Sequence, residues 1–312
     1  MIKNSLFTLS VVVCVAAALL FPDAFRYIAG YKTTGLIVPL LMIIMFGMGT
    51  SVGIDDFLRV LKMPKSIAVG LVCQFTLMPL IAISLVMISS LPPEIAAGIL
   101  LVGCSPGGLA SNVMAYISGA NLALSLSLTA CSTLLAPFLT PLLMSWLANE
   151  YVPIDTLAMF WSITKIVILP VLGGLIFNHF LHGRFPLVDR IMPRISMIGI
   201  VIIIAVITAA GRDSLIALGF VLIGLVLLQN LLGLALGYGT AKLARMDEPS
   251  ARAIAFEVGM QNSGLASGIA VEMGKVATMG IAPAIFGPTM NINGSILASF
   301  WRKTADQNSA QS

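Results

Sequence analysis

The chain has 312 residues, of which 58% are hydrophobic and only 10% are charged. Soluble domains carry about 25% charged residues, so this composition excludes a water-soluble globular protein and makes lipid the surrounding solvent. The net charge of +4 comes without a basic stretch interleaved with aromatics and without zinc-ligand spacing, so the sequence predicts no nucleic-acid partner and no zinc site.

Ten apolar segments follow one another along the chain, and most reach or approach the roughly 20 residues that a membrane-spanning helix needs. They cover 5–21, 33–53, 66–90, 94–118, 121–148, 154–180, 192–210, 213–243, 250–274 and 277–301. Because their apolar character is continuous rather than alternating, they predict helices and not barrel strands. The first segment could alternatively be a signal peptide, although nine further spans would still anchor the protein. The predicted class is an all-α, multi-pass membrane protein.

The basic residues between the segments predict the orientation in the membrane. With ten spans, both termini and the even-numbered loops lie on one side. Twelve basic residues fall on that side: Lys3, Arg59, Lys62, Lys65, Arg184, Arg190, Arg194, Lys242, Arg245, Arg252, Arg302 and Lys303. Four fall on the other side: Arg26, Lys32, Arg212 and Lys275. Cytoplasmic loops carry the excess of Lys and Arg, so both termini are predicted to be cytoplasmic.

The cysteines and histidines do not form a pattern that is typical of metal sites. The four cysteines all lie inside apolar segments, which favours small buried hydrophobes over disulfides or ligands: Cys14, Cys73, Cys104 and Cys131. His179 and His182 lie where the sixth segment ends, and this position favours an interfacial role over metal binding.

An internal repeat appears when the sequence is shifted by 156 residues. The stretch "VGCSPGGLAS" at 102–111 then aligns with "VGMQNSGLAS" at 258–267 and is identical at six of ten positions. At the same offset, Gln74 aligns with Asn230. Each half holds five spans, and an odd number inserts the second copy upside down. The sequence therefore predicts two inverted five-helix repeats, an arrangement in which transporters bind substrate and ions near the membrane midplane.

Both aligned stretches interrupt their helices with residues that favour unwound backbone. The fourth span carries Ser105-Pro106-Gly107-Gly108, and the ninth carries Gln261-Asn262-Ser263-Gly264. Proline removes a backbone donor and glycine tolerates non-helical dihedrals. Unwound carbonyls can coordinate a cation, and half-helix N-termini attract an anion. A single break could be a packing kink, whereas two matched breaks with polar side chains favour a binding site.

Glu257 is the one carboxylate that the segments place well inside a span. An ionised acid at mid-bilayer costs about 3 kcal/mol, which a bound cation or protonation would offset. The fifth span adds a polar stripe at every fourth residue: Asn121, Ser125, Thr129 and Thr133. Hydrogen bonding between helices would explain this stripe on its own. Beside the break, with Ser111 and Asn112 just beyond it, the stripe favours ligands for an alkali cation, because all the donors are hard oxygens.

These residues resemble the bile acid:sodium symporter family. The stretches "EVGMQNSGLA" and "SPGGLASN", with the ten-span duplicated plan, are similar to its bacterial members over essentially the whole chain. The resemblance implies a core domain of spans 3–5 and 8–10, in which discontinuous helices 4 and 9 cross, beside a panel of spans 1, 2, 6 and 7. The boundaries are 1–62 and 150–211 for the panel, 63–149 and 212–304 for the core, and 305–312 for a cytoplasmic tail.

The resemblance also implies two sodium ions as coupling ions and no enzymatic cofactor. By motif match, the first sodium binds Ser111, Asn112, Ser125, Thr129 and Glu257. The second binds Gln74, Glu257, Met260, Gln261 and the backbone oxygen of Val258. Two cations against one shared carboxylate leave a positive excess that favours an anionic substrate. The expected substrate contacts, in a cavity between core and panel, are Leu109, Asn262 and Asn291. Family members often have threonine where this chain has Leu109, which weakens the transfer of substrate contacts.

The predicted function is sodium-coupled symport of an organic anion, such as a bile acid or a small carboxylate like pantoate, by alternating access. We expect a monomer in the lipid of a bacterial inner membrane.

Sodium/proton exchange is the alternative within transport, but such antiporters usually depend on mid-membrane aspartates, which this sequence lacks. An intramembrane enzyme would need a dyad, and Ser162 with Lys165 is the one candidate pair; no glycine-rich turn adjoins it to supply oxyanion donors. Lys165 could otherwise snorkel or contact an anion.

Overall fold

The computed structural model describes residues 2–28, 30–51, 53, 62–181 and 186–309. Arg59, His182 and Arg184, which enter the predictions above, lie outside these residues. Within the described part, regular structure is helical apart from one short antiparallel pair, β1 (Tyr27–Ile28) and β2 (Tyr31–Lys32). The predicted all-α class is confirmed.

The helices follow the order of the predicted segments. In chain order they are α1 (Ile2–Leu20), α2 (Pro22–Arg26), α3 (Ile37–Ser51), α4 (Pro64–Met87), α5 (Pro93–Gly103), α6 (Ala110–Ile117), α7 (Leu122–Leu147), α8 (Thr156–Ile163), α9 (Leu169–Leu181), α10 (Pro186–Ala210), α11 (Arg212–Leu243), α12 (Glu248–Gly259), α13 (Ser263–Glu272) and α14 (Ile281–Ser309). A 3-10 turn (Thr33–Leu36) leads into α3, and a π-helical turn (Thr164–Ile168) joins α8 to α9.

Several of these helices suit a lipid environment. Within the described residues, five are long and apolar enough to cross a membrane by length and composition: Thr33–Thr50, Pro64–Met87, Leu122–Leu147, Thr156–Phe180 and Arg212–Leu243. Shorter apolar helices cover Ser10–Leu20, Pro93–Gly103 and Arg194–Ala210. The fourth and ninth predicted segments are each divided in two, as α5 with α6 and α12 with α13, which leaves their parts below the spanning length.

The two breaks meet and pair through their backbones. The amide of Gly108 donates to the carbonyl of Met260 at 2.7 Å, and the amide of Asn262 donates to the carbonyl of Pro106 at 2.8 Å. These bonds form a short antiparallel bridge. Buried backbone groups that lose their helical partners need such replacements, because an unpaired one costs free energy. Each break therefore supplies the hydrogen bonds that the other lacks.

Asparagine side chains cap the N-termini of two helices, α7 and α13. Asn262 Oδ1 accepts the amide of Leu265 at 3.0 Å and caps α13. Asn121 Oδ1 accepts the amide of Leu124 at 3.0 Å and caps α7. A capping oxygen satisfies one of the free amides of the first turn, so it fixes where a helix begins. Of these two helices, α7 packs against α12.

The helix α12 lies at the centre of the molecule. Every residue from Ser250 to Gly259 is buried. It contacts α4, α6, α7 and α11. A polar side chain on this helix therefore has to find its partners inside the protein.

The helices α3 and α9 approach each other closely. A Cβ atom at Gly49 would overlap the carbonyl oxygen of Val171. Small residues permit such contact and are typical of helix interfaces in membranes. This close approach joins α3 to α9.

Two arginines tie together the ends of α1 and α10. Arg26 Nε donates to the carbonyl of Ala209 in the last turn of α10, at 2.8 Å. Arg212 Nε donates to the carbonyl of Leu19 in the last turn of α1, at 2.8 Å. Basic side chains stabilise helix C-termini by satisfying free carbonyls. Arg26, which comes after α1 and ends α2, thus caps α10. Arg212, which comes after α10, caps α1.

Candidate functional site

Glu257 lies in the last turn of α12, beside the paired breaks, and is fully buried. Two hydroxyls donate to its Oε2 atom, from Thr129 at 2.7 Å and from Ser111 at 3.1 Å. Ser132 Oγ donates to Oε1 at 3.0 Å. Among the residues that the structure describes, no lysine or arginine forms an ion pair with this carboxylate. In the described part of the chain, the partners of this carboxylate are therefore neutral hydroxyl donors.

The carboxylate also lies directly against the backbone of the first break. A Cβ atom at Gly107 would overlap both Oε1 and the carboxyl carbon of Glu257. Only glycine leaves space for the acid at this place, which gives a physical reason for glycine within the break.

An amide oxygen extends the hydroxyl cluster. Asn112 Oδ1 accepts from Ser125 Oγ at 2.8 Å and from Thr129 Oγ1 at 3.3 Å. Ser111 Oγ lies 3.4 Å from Thr129 Oγ1. All the residues predicted for the first sodium are thus brought into one buried network, contributed by α6, α7 and α12.

The residues predicted for the second sodium are also close together, but their polar atoms contact one another. Gln74 Nε2 donates to Gln261 Oε1 at 2.7 Å, and Gln261 Nε2 approaches Gln74 Oε1 at 3.3 Å. Gln261 Nε2 also donates to the carbonyl of Val258 at 2.6 Å. The carbonyl of Met260 is used by the bridge between the breaks. A cation here would have to displace donors from these oxygens.

The residues predicted to bind substrate are not joined by hydrogen bonds within the described part of the chain. Asn262 is 7% exposed and uses Oδ1 to cap α13. Asn291 is half-buried on α14 and donates Nδ2 to the carbonyl of Gly287 on its own helix at 2.8 Å. Leu109 is half-buried just before α6. These three stay predictions.

Comparison with known proteins shows the family. The sodium bile acid symporter family matches residues 38–218, which is more than half of the chain. This chain belongs to the sodium bile acid symporter family. The family transports solutes and is not a family of enzymes, so transport, sodium symport and a multi-pass membrane location hold for this member.

Three relatives illustrate the family's range. The sodium-dependent transporter YocS of Bacillus subtilis (strain 168) is 40% identical over 307 residues, covering 98% of this chain and 94% of that protein. The ileal sodium/bile acid cotransporter of Homo sapiens is 33% identical over 270 residues, covering 82% of this chain and 75% of that protein. The probable chloroplastic sodium/metabolite cotransporter BASS1 of Oryza sativa subsp. japonica is 33% identical over 267 residues, covering 86% of this chain and 66% of that protein.

The donor set around Glu257 in this symporter-family chain fits a sodium ion chemically. Carboxylate, hydroxyl and amide oxygens are hard ligands, which suit alkali and alkaline-earth cations. Within the described residues, no group of three or more His, Cys, Asp or Glu side chains could hold another metal. The four cysteines are free thiols; Cys73 and Cys104 are buried as predicted, whereas Cys14 and Cys131 are half-buried.

Ser132 is the residue near Glu257 that the sequence analysis of this symporter-family chain misses. A spacing of four residues predicts Thr133 as the next polar residue of the stripe on the fifth span, but the structure turns Ser132 towards the carboxylate. Thr133 is 1% exposed, and its hydroxyl has no hydrogen-bond partner. Seven residues make nearly two full turns of a helix, so Ser132 lies closer than Thr133 to the helix face of Ser125.

The alternative catalytic pair does not form a hydrogen bond in the described structure. Ser162 Oγ lies 3.4 Å from Glu272 Oε2 at the end of α13. Lys165 is exposed and lies in the π-helical turn. A π-helical turn shifts the residues that follow it around the helix, so spacing alone does not predict which of them share a face.

Proposed function

We propose that this chain couples sodium binding at Glu257 to the transport of an organic anion by alternating access. The single observation that carries the proposal is a fully buried carboxylate whose partners are three hydroxyls and no cationic side chain among the described residues. A buried charge without a counter-charge is costly. A monovalent cation supplies that counter-charge, and family membership favours sodium.

Two sodium sites that share Glu257 are part of the proposal. The first consists of Ser111, Asn112, Ser125, Thr129 and Glu257, whose oxygens already converge. The second consists of Gln74, Glu257, Val258, Met260 and Gln261, where the two glutamine amides must first release each other. This difference favours an order in which the first site fills before the second.

A ten-span plan with inverted repeats would explain the contacts around the breaks. Gln74 donates to the carbonyl of Ser105 at 2.8 Å, beside the first break. Its aligned residue Asn230 donates to the carbonyl of Gly259 at 2.8 Å, beside the second. One amide thus supports one break in each half, which supports the duplication. A bacterial inner membrane with both termini on its cytoplasmic side is part of the same proposal.

The substrate class follows from charge. Two sodium ions against one carboxylate leave a positive excess near the N-terminus of α13, and a helix N-terminus attracts anions. Two of the three named relatives carry a substrate in their names: the human ileal sodium/bile acid cotransporter and the probable chloroplastic sodium/metabolite cotransporter of rice. We infer that an organic anion binds near Leu109, Asn262 and Asn291.

Alternating access would move a core, 63–149 and 212–304, against a panel, 1–62 and 150–211. Ser162 on α8 and Glu272 on α13 lie on opposite sides of this proposed boundary, 3.4 Å apart at their polar atoms. Such a contact would have to open when the core moves.

Uptake into proteoliposomes tests the function. Purified protein is reconstituted with an inward sodium gradient, and uptake of labelled taurocholate, pantoate and a keto acid is compared with uptake in a potassium gradient. We expect sodium-dependent accumulation of at least one anion and its loss in Glu257→Gln. Accumulation that is equal with potassium, or unchanged in Glu257→Gln, would refute the proposal.

A further inference from the structure

The two oxygens of the Glu257 carboxylate have different surroundings. Oε2 faces the hydroxyls of Ser111 and Thr129, which belong to the first proposed sodium site. Oε1 faces Ser132 and lies over Gly107, outside that set. Ser132 therefore holds the carboxylate through the oxygen that does not accept from Ser111 or Thr129.

Ser132 has a second acceptor that does not involve Glu257. Its hydroxyl lies 3.2 Å from the carbonyl of Thr129 on its own helix, so it can stay satisfied without the carboxylate. The bond to Glu257 consequently matters more for the orientation of the acid than for the burial of the serine.

The last torsion of a glutamate side chain is broad and nearly two-fold, so staggering does not fix the plane of the carboxylate. A directional hydrogen bond to one oxygen does fix that plane, because hydrogen bonds weaken steeply away from linear geometry. With Oε1 held by Ser132 and packed on Gly107, Oε2 is directed at the first ion site.

We propose that Ser132 is a positioning residue that orients Glu257 for the first sodium ion without binding the ion itself. The proposal rests on the proposed sodium-coupled function. Its physical content is preorganisation: an acid that is already aimed loses less freedom when the cation arrives, so the ion binds more tightly.

The test compares two neighbouring buried residues on α7. Ser132→Ala removes the hydroxyl that holds Oε1. Thr133→Val is the matched control, because Thr133 is equally buried and its hydroxyl has no partner. For each variant we measure the melting temperature without sodium and the sodium concentration that gives half of the maximal stabilisation, with choline replacing sodium at constant ionic strength.

We expect Ser132→Ala to raise the half-maximal sodium concentration roughly tenfold, as for the loss of a hydrogen bond to a charged group. Thr133→Val should leave that concentration within about twofold of wild type, on the usual scale for an isosteric change that breaks no hydrogen bond. Ser132→Thr keeps a hydroxyl and should restore most of the affinity. If the alanine variant does not fold, Ser132→Cys, a weak donor of similar volume, replaces it. We then expect the half-maximal sodium concentration of Ser132→Cys to rise in the same direction.

The outcomes separate this inference from the proposed function. The positioning role would be overturned, and the function left standing, by one combination of results. In it, wild type responds to sodium, Glu257→Gln does not, and Ser132→Ala responds as wild type does. A lower sodium-free melting temperature with an unchanged sodium midpoint would also overturn it, because that result marks a structural role only. No sodium response in wild type would overturn both.

Discussion

Gly107→Ala tests the geometry of the site through a residue that has no polar side chain. The added Cβ would overlap Oε1 and the carboxyl carbon of Glu257, so either the acid or the break must move. The acid is the freer partner, because the break is fixed by its backbone bridge to the second break. We expect the carboxylate to rotate away from its hydroxyl donors.

The magnitude follows from the bonds that would be lost. Three hydroxyls donate to the carboxylate at 2.7, 3.0 and 3.1 Å. A hydrogen bond to a charged group contributes about 1.5–3 kcal/mol, and forcing an extra methyl group into a packed site costs roughly 1–3 kcal/mol. Loss of one bond together with the overlap predicts a destabilisation of about 2.5–6 kcal/mol. If the carboxylate rotates, an oxygen of Glu257 no longer points at the first sodium site. Sodium binding should then weaken about tenfold or more.

Thermal unfolding in detergent, with and without sodium, measures both effects. Gly224→Ala on α11 is the control, since a Cβ at Gly224 meets nothing within 4 Å. A Gly107→Ala protein that keeps the wild-type melting temperature and the wild-type sodium midpoint would show that the carboxylate does not lie against this glycine.

Three further predictions use the same reconstituted protein. Glu257→Gln should insert and fold but lose sodium-dependent stabilisation, because the neutral amide no longer attracts a cation; stabilisation equal to wild type would contradict both sodium assignments. Gln74→Ala should leave one sodium bound while coupled uptake falls, measured by the number of sodium-22 ions bound per protein; loss of both ions would mean that the sites are not separable. Cysteines at Ser162 and Glu272, in a background without the native cysteines, should stop uptake when a short thiol-reactive reagent links them, whereas each single cysteine with the same reagent should not; full uptake after cross-linking would contradict the moving core.

The helix breaks were predictable from the sequence. Pro106, Gly107 and Gly108 disfavour a regular helix in the first break. The second break, 260–262, contains neither proline nor glycine, and it was predictable from its alignment with the first break at the offset of 156 residues. The family resemblance implies that the two broken helices cross, but it does not predict that the breaks pair through their backbones. The hydrogen bonds of that pairing depend on how distant segments pack, which no local pattern specifies.

The polar stripe on α7 shows where spacing alone fails. In a helix with 3.6 residues per turn, four residues rotate about 40° more than one full turn. Residues spaced by four therefore drift steadily around the helix. Relative to Ser125, Thr133 therefore lies about 80° away and Ser132 only about 20° away. Ser132 accordingly faces Glu257, while the hydroxyl of Thr133 has no partner. The mutual hydrogen bonds of Gln74 and Gln261 were equally out of reach, because side-chain amides choose their partners only after the helices are packed.

The bridge between the breaks also bears on how the chain can be made. Ribosomes finish α5 and α6 well before they reach Met260, whose carbonyl is the acceptor for the amide of Gly108. Until then the first break has buried polar groups without their final partners, a state that is costly away from water. A fragment that ends after α7 should therefore stay associated with the insertion machinery or be degraded. We therefore expect maturation to require a chain that contains both breaks.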